Sequence, residues 1–302
     1  MEKYSTQATS RMLQFRWLDA QCIQIRLPNG KVILCDPFFP SATNPWEIED
    51  KNAELYYLDK PFSVEDLKQV DYLILNHTHG DHLLKLEEIF RMYHPTVIIH
   101  SAMAEGLART HEIWLSSIYP VDLNGRYYFD GFTLDTFHGT HHPVRYSFRE
   151  GMEMPSFIEN RRADELNILG GLFNMNFIIT TDSGFKIGFV GGDDDADCRI
   201  FEQNTPDILF RNKLHSSNSN YDVARDWADY LIRTHASLMV PMHHEKWLKT
   251  KPGYTTDIVN QMNQYLIEQH ANARVLNAER TRWYRVNLSI CAESEDDTIG
   301  TD

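Results

Sequence analysis

The sequence predicts an α/β fold, on three observations. Short apolar runs such as Tyr72-Leu73-Ile74-Leu75 and Thr96-Val97-Ile98-Ile99 read as buried strands. Between such runs, apolar residues recur at helical spacing, at Leu83, Leu86 and Phe90 and again at Val223, Trp227 and Leu231. Strand and helix patterns alternate along the chain instead of segregating, which is an α/β arrangement. One stretch, His77-Thr78-His79-Gly80-Asp81-His82, sits at such a junction, where a strand ends and a helix begins.

Taken in order, residues 12–39 alternate through Leu13-Gln14-Phe15-Arg16-Trp17-Leu18 and Cys22-Ile23-Gln24-Ile25-Arg26-Leu27, then turn at Pro28-Asn29-Gly30 into Val32-Ile33-Leu34-Cys35. This is a strand meander with an Asn-Gly hairpin turn. Residues 40–62 mix prolines, charges and aromatics without period and read as an irregular insertion. Ser63, with Asp66 three residues on, marks the start of a short helix to Lys68. The helix after the histidine-rich stretch runs to about Tyr93, and a second covers residues 102–110. Gly131-Phe132-Thr133-Leu134-Asp135-Thr136-Phe137 alternates as a strand and leads into His138-Gly139-Thr140-His141-His142. Residues 144–168, with Arg145, Arg149, Arg161 and Arg162, form a second insertion, either a lid over a site or a solvated helical excursion. Residues 176–181 and 185–190 pair as a hairpin and deliver Gly191-Gly192-Asp193-Asp194-Asp195. A strand at 206–210, an amphipathic helix at 222–235, an apolar strand leading into Pro241-Met242-His243-His244, a helix marked by Ile258, Met262 and Leu266, and a strand at 282–286 follow.

Composition bounds the function. The 302 residues, 42% hydrophobic and 24% charged, suffice for a full core. The reading is a single domain over residues 1–291 with an acidic tail, 292–302, expected to be disordered. No apolar stretch follows a basic start, and no run approaches the roughly 18 residues of a membrane span. The expectation is a cytoplasmic protein without a membrane partner. Cys22, Cys35, Cys198 and Cys291 lack Cys-x-x-Cys spacing and fit reduced thiols. A formal net charge of −14 with no basic run repels long polyanions, so nucleic acid is not expected as a partner. A small-molecule substrate is expected, and it can be anionic, since divalent cations dominate the field inside a pocket. The oligomeric state is open, and a homo-oligomer is compatible with the sequence.

Four metal-ligand side chains within six residues are more than packing calls for. His-x-His-x-Asp-His after a buried strand resembles the signature of the metallo-β-lactamase superfamily, and the resemblance covers residues 12–288. It implies a four-layer αββα sandwich of the metallo-β-lactamase type, with two mixed sheets and outer helices. It also implies seven ligands: His77, His79 and His141 on one metal, Asp81, His82 and His243 on the other, and Asp193 bridging the two. His138 stays an alternative to His141, because a one-residue bulge changes which side chain points inward. Pro241-Met242-His243 resembles the lactonase-type branch that includes ascorbate-6-phosphate lactonase, although His244 stands where that branch commonly has tyrosine. Asp194 stands where threonine is usual. Asp36, which ends a strand as Asp-Pro, corresponds to a residue behind the ligands, and a turn-forming role is equally open.

The resemblance implies two divalent metal ions per chain, zinc by superfamily default or manganese by the lactonase branch, and a metal-bridging hydroxide. Asp81 and Asp193 are then the catalytic carboxylates, with Asp81, His138, His142 or His244 as the proton donor to the leaving group. The function expected is hydrolysis of a lactone or other carboxylic derivative, or of a phosphodiester. A nuclease or phosphodiesterase acting on nucleic acid is disfavoured by the net charge. An iron-dependent oxidoreductase of the same fold is disfavoured by His79, where the di-iron branch typically has glutamate. His94, His100, His111, His215, His235 and His270 fall outside the motifs and read as structural or surface residues.

Overall fold

Neighbouring residues of one strand serve two different cores. In β4 (Tyr72–Ile74) and β5 (Thr96–His100), Ile74 and Ile98 pack inward, while Leu73, Val97 and Ile99 pack outward against helices. In β9 (Met175–Thr181), Phe177 and Ile179 face the same inner core and Ile178 faces a third cluster on the far side. Successive side chains of a strand point to opposite faces, so two sheets covered on both faces produce this pattern. The computed structural model describes residues 12–39, 62–141, 161–192, 198–214, 222–244 and 251–286.

The first sheet adds β1 (Gln14–Asp19), β2 (Cys22–Arg26), β3 (Val32–Cys35), β6 (Ile118–Val121) and β14 (Tyr284–Arg285), in the order β14-β1-β2-β3-β4-β5-β6. Pairing is antiparallel from β14 to β3 and parallel from β3 to β6. The second sheet contains β7 (Arg126–Phe129), β8 (Phe132–His138), β10 (Lys186–Val190), β11 (Ile208–Arg211), β12 (Leu238–Pro241) and β13 (Arg274–Val275), in the order β13-β12-β11-β10-β9-β8-β7. It too is mixed, parallel from β13 to β10 and antiparallel from β10 to β7.

Helices α1 (Gly80–Leu83), α2 (Leu86–Tyr93), α3 (Ser101–Thr110) and α4 (Arg161–Leu172) cover the first sheet through Leu83, Ile89, Met103, Leu107 and Leu166. Helices α5 (Arg199–Gln203), α6 (Val223–Thr234) and α7 (Tyr254–Glu268) cover the second through Phe201, Trp227, Leu231, Met262 and Leu266. The layers therefore run helix, sheet, sheet, helix, as the resemblance implies. No helix among the described residues is long and apolar enough to cross a membrane.

The structure departs from the sequence reading at several points. The single helix expected after the histidine-rich stretch breaks into α1 and α2, because the Lys85 amide bonds the carbonyl of Pro37 at 2.9 Å. The end of the expected insertion at 144–168 is α4, whose Leu166 is buried. Residues 144–160 of that insertion, residues 40–61 of the first and the whole tail, 292–302, lie outside the described residues. β6 and β7 were not anticipated: both lie at sheet edges, β6 contains Pro120, and β7 is Arg-Tyr-Tyr-Phe with no residue fully buried. The alternation of β1 and β2 does not mark a wet face either. Arg16 and Gln24 are buried and bonded to each other at 2.7 Å, with Gln24 also capturing the carbonyl of Leu67 behind the short 3-10 helix Val64–Leu67.

Candidate metal centre

His77 and His79 follow β4 by three and five residues, and their rings meet at 4.5 Å while the Thr78 side chain between them is turned toward α4. Thr78 donates its hydroxyl to the carbonyl of Leu166, which fixes the segment against α4. His79 keeps an extended backbone as the residue before α1, so Asp81 and His82 enter on the first helical turn. β8 brings the third histidine from the other sheet. The ring centroids of His77, His79 and His141 lie 4.5 Å (77 to 79), 4.7 Å (77 to 141) and 4.5 Å (79 to 141) apart. One nitrogen from each ring lies within 4.8 Å of those of the other two. His138, the alternative, is exposed at the end of β8 with Nε2 3.3 Å from the carbonyl of Leu172, and is not part of this cluster.

His77 shows that the cluster fits a cation. Its ring is 1% exposed, and Nδ1 lies 2.7 Å from Oδ1 of Asn76. Nε2 is buried and has no hydrogen-bond partner. A buried polar atom left unpaired costs on the order of 1–3 kcal/mol, which a bound ligand would remove. Burial first, and the adjacent His82 and His79 second, hold the His77 imidazole well below its ordinary pKa, with Asp81 opposing. The ring is thus neutral near pH 7 and has a lone pair to offer. Three imidazoles suit zinc, and with carboxylates they also suit manganese or iron.

The second group adjoins the first. The His82 ring is 3.7 Å from that of His77 and 2% exposed. Nδ1 of His82 lies 3.0 Å from Oδ2 of Asp36, off the hydrogen-bond axis. Asp36 is fully buried, and its other oxygen accepts from the Asn76 amide at 2.7 Å. Burial pushes the Asp36 carboxyl up, against the pull of His82 and of that amide. Asp36 thus stands behind His82, the role the resemblance implied, and also makes a turn, with φ of 42°. Nε2 of His243 lies 3.3 Å from Oδ2 of Asp81. Desolvation raises the Asp81 carboxyl, but the bond to His243 and the nearby His82 outweigh it and hold the group well below the carboxylate range. His243 also has left-handed backbone, with φ of 55°. A non-glycine residue in that region costs roughly 1–3 kcal/mol and persists where surrounding structure enforces it.

The structure brings together His77, His79, Asp81, His82, His141 and His243; Asp193, like Asp194, Asp195 and His142, lies outside the described residues. The approach to Asp193 is visible. Gly191 follows β10 with its amide donated to Asn176 Oδ1 at 3.2 Å and its carbonyl held by Asn212 Nδ2 at 2.9 Å. His244 is 1% exposed, its ring tilted by 30° against that of Trp17 at 4.6 Å, so it is buried instead of facing an open mouth. His94, His100 and His235 cap helices, as their placement outside the motifs suggested.

Sequence reading missed four residues at this site. Gln21 donates its side-chain amide to the Asp81 carbonyl, and Ala20 accepts from the His243 amide. Asn76 and Asn174 flank His77. Only the asparagines left a signal, as polar residues at the ends of apolar strands. A cavity of about 550 Å³ opens on the α1–α2 side of the motif, lined by Thr78, Leu83, Lys85, Glu88, Arg91 and Leu166 among others and by none of the described candidate ligands.

No family model matches the chain. Over 102 residues, 34% of this chain, it is 30% identical to a protein of Staphylococcus carnosus described as a UPF0173 metal-dependent hydrolase, and the match spans 36% of that protein. Among solved structures, a possible metal-dependent hydrolase from Veillonella parvula superposes with a TM-score of 0.62 at 16% identity, covering 91% of this chain and all (100%) of that one. The metallo-β-lactamase fold protein YhfI from Bacillus subtilis superposes with a TM-score of 0.54 at 11% identity, covering 91% of this chain and 100% of its own. The chain has the metallo-β-lactamase fold, with two mixed seven-stranded sheets between helical layers among the described residues.

Proposed function

We propose that the chain is a binuclear metal-dependent hydrolase acting on a small molecule, a lactone or other carboxylic derivative or a phosphodiester. The observation that carries this reading is the convergence of His77, His79 and His141 from two sheets, with a buried, unpartnered His77 Nε2, directly beside Asp81, His82 and His243. Two divalent ions, zinc or manganese, would supply a hydroxide near neutral pH and polarise the electrophilic oxygen. The three histidines would hold one ion, Asp81, His82 and His243 the other, and Asp193 would join them. Asp81, held ionised by its histidine neighbours, has no proton to deliver to a leaving group near neutral pH. The acidic chain disfavours nucleic acid as the substrate, and the reading places the enzyme in the cytoplasm.

The test is metal content by plasma mass spectrometry on protein purified without added metal, alongside His79→Ala. About two zinc or manganese ions per chain, reduced in the variant, together with turnover of a lactone or phosphodiester panel, is the expected result. Iron with oxygen- or thiol-dependent activity would favour the oxidoreductase, and absence of metal from a protein that also fails to take it up would overturn the assignment.

A further inference from the structure

Four asparagines, Asn76, Asn174, Asn176 and Asn212, are 5% exposed or less and lie where the ends of the two sheets meet. Buried asparagine is costly unless its amide is used. Here each amide makes at least one bond on the segments that carry the candidate ligands, although the Oδ1 atoms of Asn174 and Asn212 are buried without a partner. Asn76, one residue before His77, donates Nδ2 to the carbonyl of Met175, and Met175 returns its amide to the Asn76 carbonyl at 3.0 Å. That pair of bonds ties the end of β4 in one sheet to the start of β9 in the other. Asn174 donates Nδ2 to Asn76 Oδ1 at 2.7 Å, and the same nitrogen lies 3.0 Å from His77 Nδ1. Its carbonyl accepts the Gly139 amide at 2.9 Å, two residues before His141. A Cβ on Gly191 would come within 2.5 Å of the Asn76 amide, so the end of β10 closes against the same group.

We propose that Asn174, acting through Asn76, is a positioning residue of the metal centre: it locks the Asn76 amide so that its oxygen accepts the His77 Nδ1 proton and leaves the Nε2 lone pair facing the other histidines. The inference rests on the metal-hydrolase reading of the same site. Asn76 Oδ1 is anchored because Nδ2 of the same amide is committed to Met175 and cannot trade places with it. The 2.7 Å approach of Nδ1 to Oδ1 is shorter than its 3.0 Å approach to Asn174 Nδ2, and without a proton it would set two lone pairs against each other. Nδ1 of His77 and Asn174 Nδ2 therefore both donate to Oδ1, and the ring has the tautomer that coordinates through Nε2. Without Asn174, the Asn76 amide keeps one anchor in place of two. The imidazole then exchanges tautomers and rotates, and each metal-binding event must select the productive arrangement.

Two measurements test this. The first is the tautomer of His77 in the metal-free, unmodified chain, read from long-range proton–nitrogen NMR correlations and assigned by comparison with His77→Gln. The expected result is a proton on Nδ1; a proton on Nε2 overturns the proposal without any change to the asparagines. The second is zinc affinity by competition with a chromogenic chelator for the unmodified chain and for Asn174→Ala, with melting of both metal-free proteins recorded alongside. The expected result is an affinity lower by about 10–100-fold in the variant, the usual effect of removing a group that orients a ligand. Equal affinities overturn the positioning role alone. Failure of the unmodified chain to bind zinc or manganese overturns instead the reading on which it rests.

Discussion

The backbone amide of His243 donates to the carbonyl of Ala20 at 2.8 Å, although the two residues belong to different sheets. Ala20 sits in the turn between β1 and β2 with a left-handed φ of 37°, and its carbonyl also accepts the Trp17 indole at 2.8 Å. The next residue, Gln21, reaches the carbonyl of Asp81. One tight turn therefore holds the backbone of two candidate ligands that face each other at 3.3 Å.

Replacing Gln21 with alanine removes the donor to Asp81 and leaves its carbonyl unpaired. We expect a loss of roughly 1–3 kcal/mol in unfolding free energy, measured in urea, with metal content falling at the same time. Unchanged stability and metal content would show that Asp81 holds its place without the turn.

Gly192 has no room for a side chain. A Cβ there would overlap the carbonyl of Thr140, immediately before His141, and backbone cannot move aside as a flexible side chain can. Gly192→Ala should therefore displace the His141 segment, and the expected outcome is at least about tenfold weaker metal binding, the scale seen when ligand geometry is disturbed, with a folded far-ultraviolet spectrum. A variant that binds metal as well as the original chain would mean the segment moves freely.

His100 gives a pH dependence remote from the metal. Its Nδ1 accepts the Ala102 amide at 3.2 Å as the cap of α3, and its ring stacks on Phe173 at 4.4 Å. Burial lowers its pKa, with Asp122 opposing. The unfolded chain therefore binds this proton more readily than the native one, and the stabilisation present above the unfolded value near 6.5 is lost as pH falls below it. His100→Asn keeps a capping acceptor that does not titrate. Its stability should vary less between mildly alkaline and mildly acidic buffer than that of the original chain, by urea titration at each pH.

The thiols offer a simple check on the cores. Burial pushes Cys22 and Cys35 well above the ordinary thiol range, with Asp36 adding to it, and burial with a bond to Glu202 brings Cys198 to about 11. Thiolate is the reactive form. None of the three should react with an aromatic disulfide reagent in the native protein at mildly alkaline pH, and all should react in concentrated guanidinium. Rapid native labelling at Cys22 or Cys35, located by mass spectrometry, would contradict the packing around β2 and β3.

The elements with a plain apolar pattern, such as β9, α3 and α6, were legible to within a residue or two, because β9 is packed on both faces and one face of each helix meets a continuous apolar layer. The break between α1 and α2 was not. Leu83, Leu86 and Phe90 keep helical spacing straight through it, and the cause is a bond from Lys85 to Pro37, a residue 48 positions earlier by the numbering. At the site, the histidines could be found because their spacing is local. Gln21 could not, since it meets Asp81 across 60 residues and nothing near either one points to the other. Asn174 lies 97 residues from His77, so its place at the start of an apolar strand marks it as unusual without pointing to the histidine it meets.

The candidate ligands come from both sheets, His77, His79, Asp81 and His82 from one and His141 and His243 from the other, so the gap between the sheets sets the span of the site. That gap is filled by side chains such as Phe177 and Phe189, stacked at 4.6 Å in near-parallel planes. The aromatic interior thus acts as a spacer that gauges the aperture at its rim. A methylene removed deep in the sandwich would shift the two sets of candidate ligands relative to each other, so the spacing of the site is a property of the thickness of the core as much as of the residues at its rim.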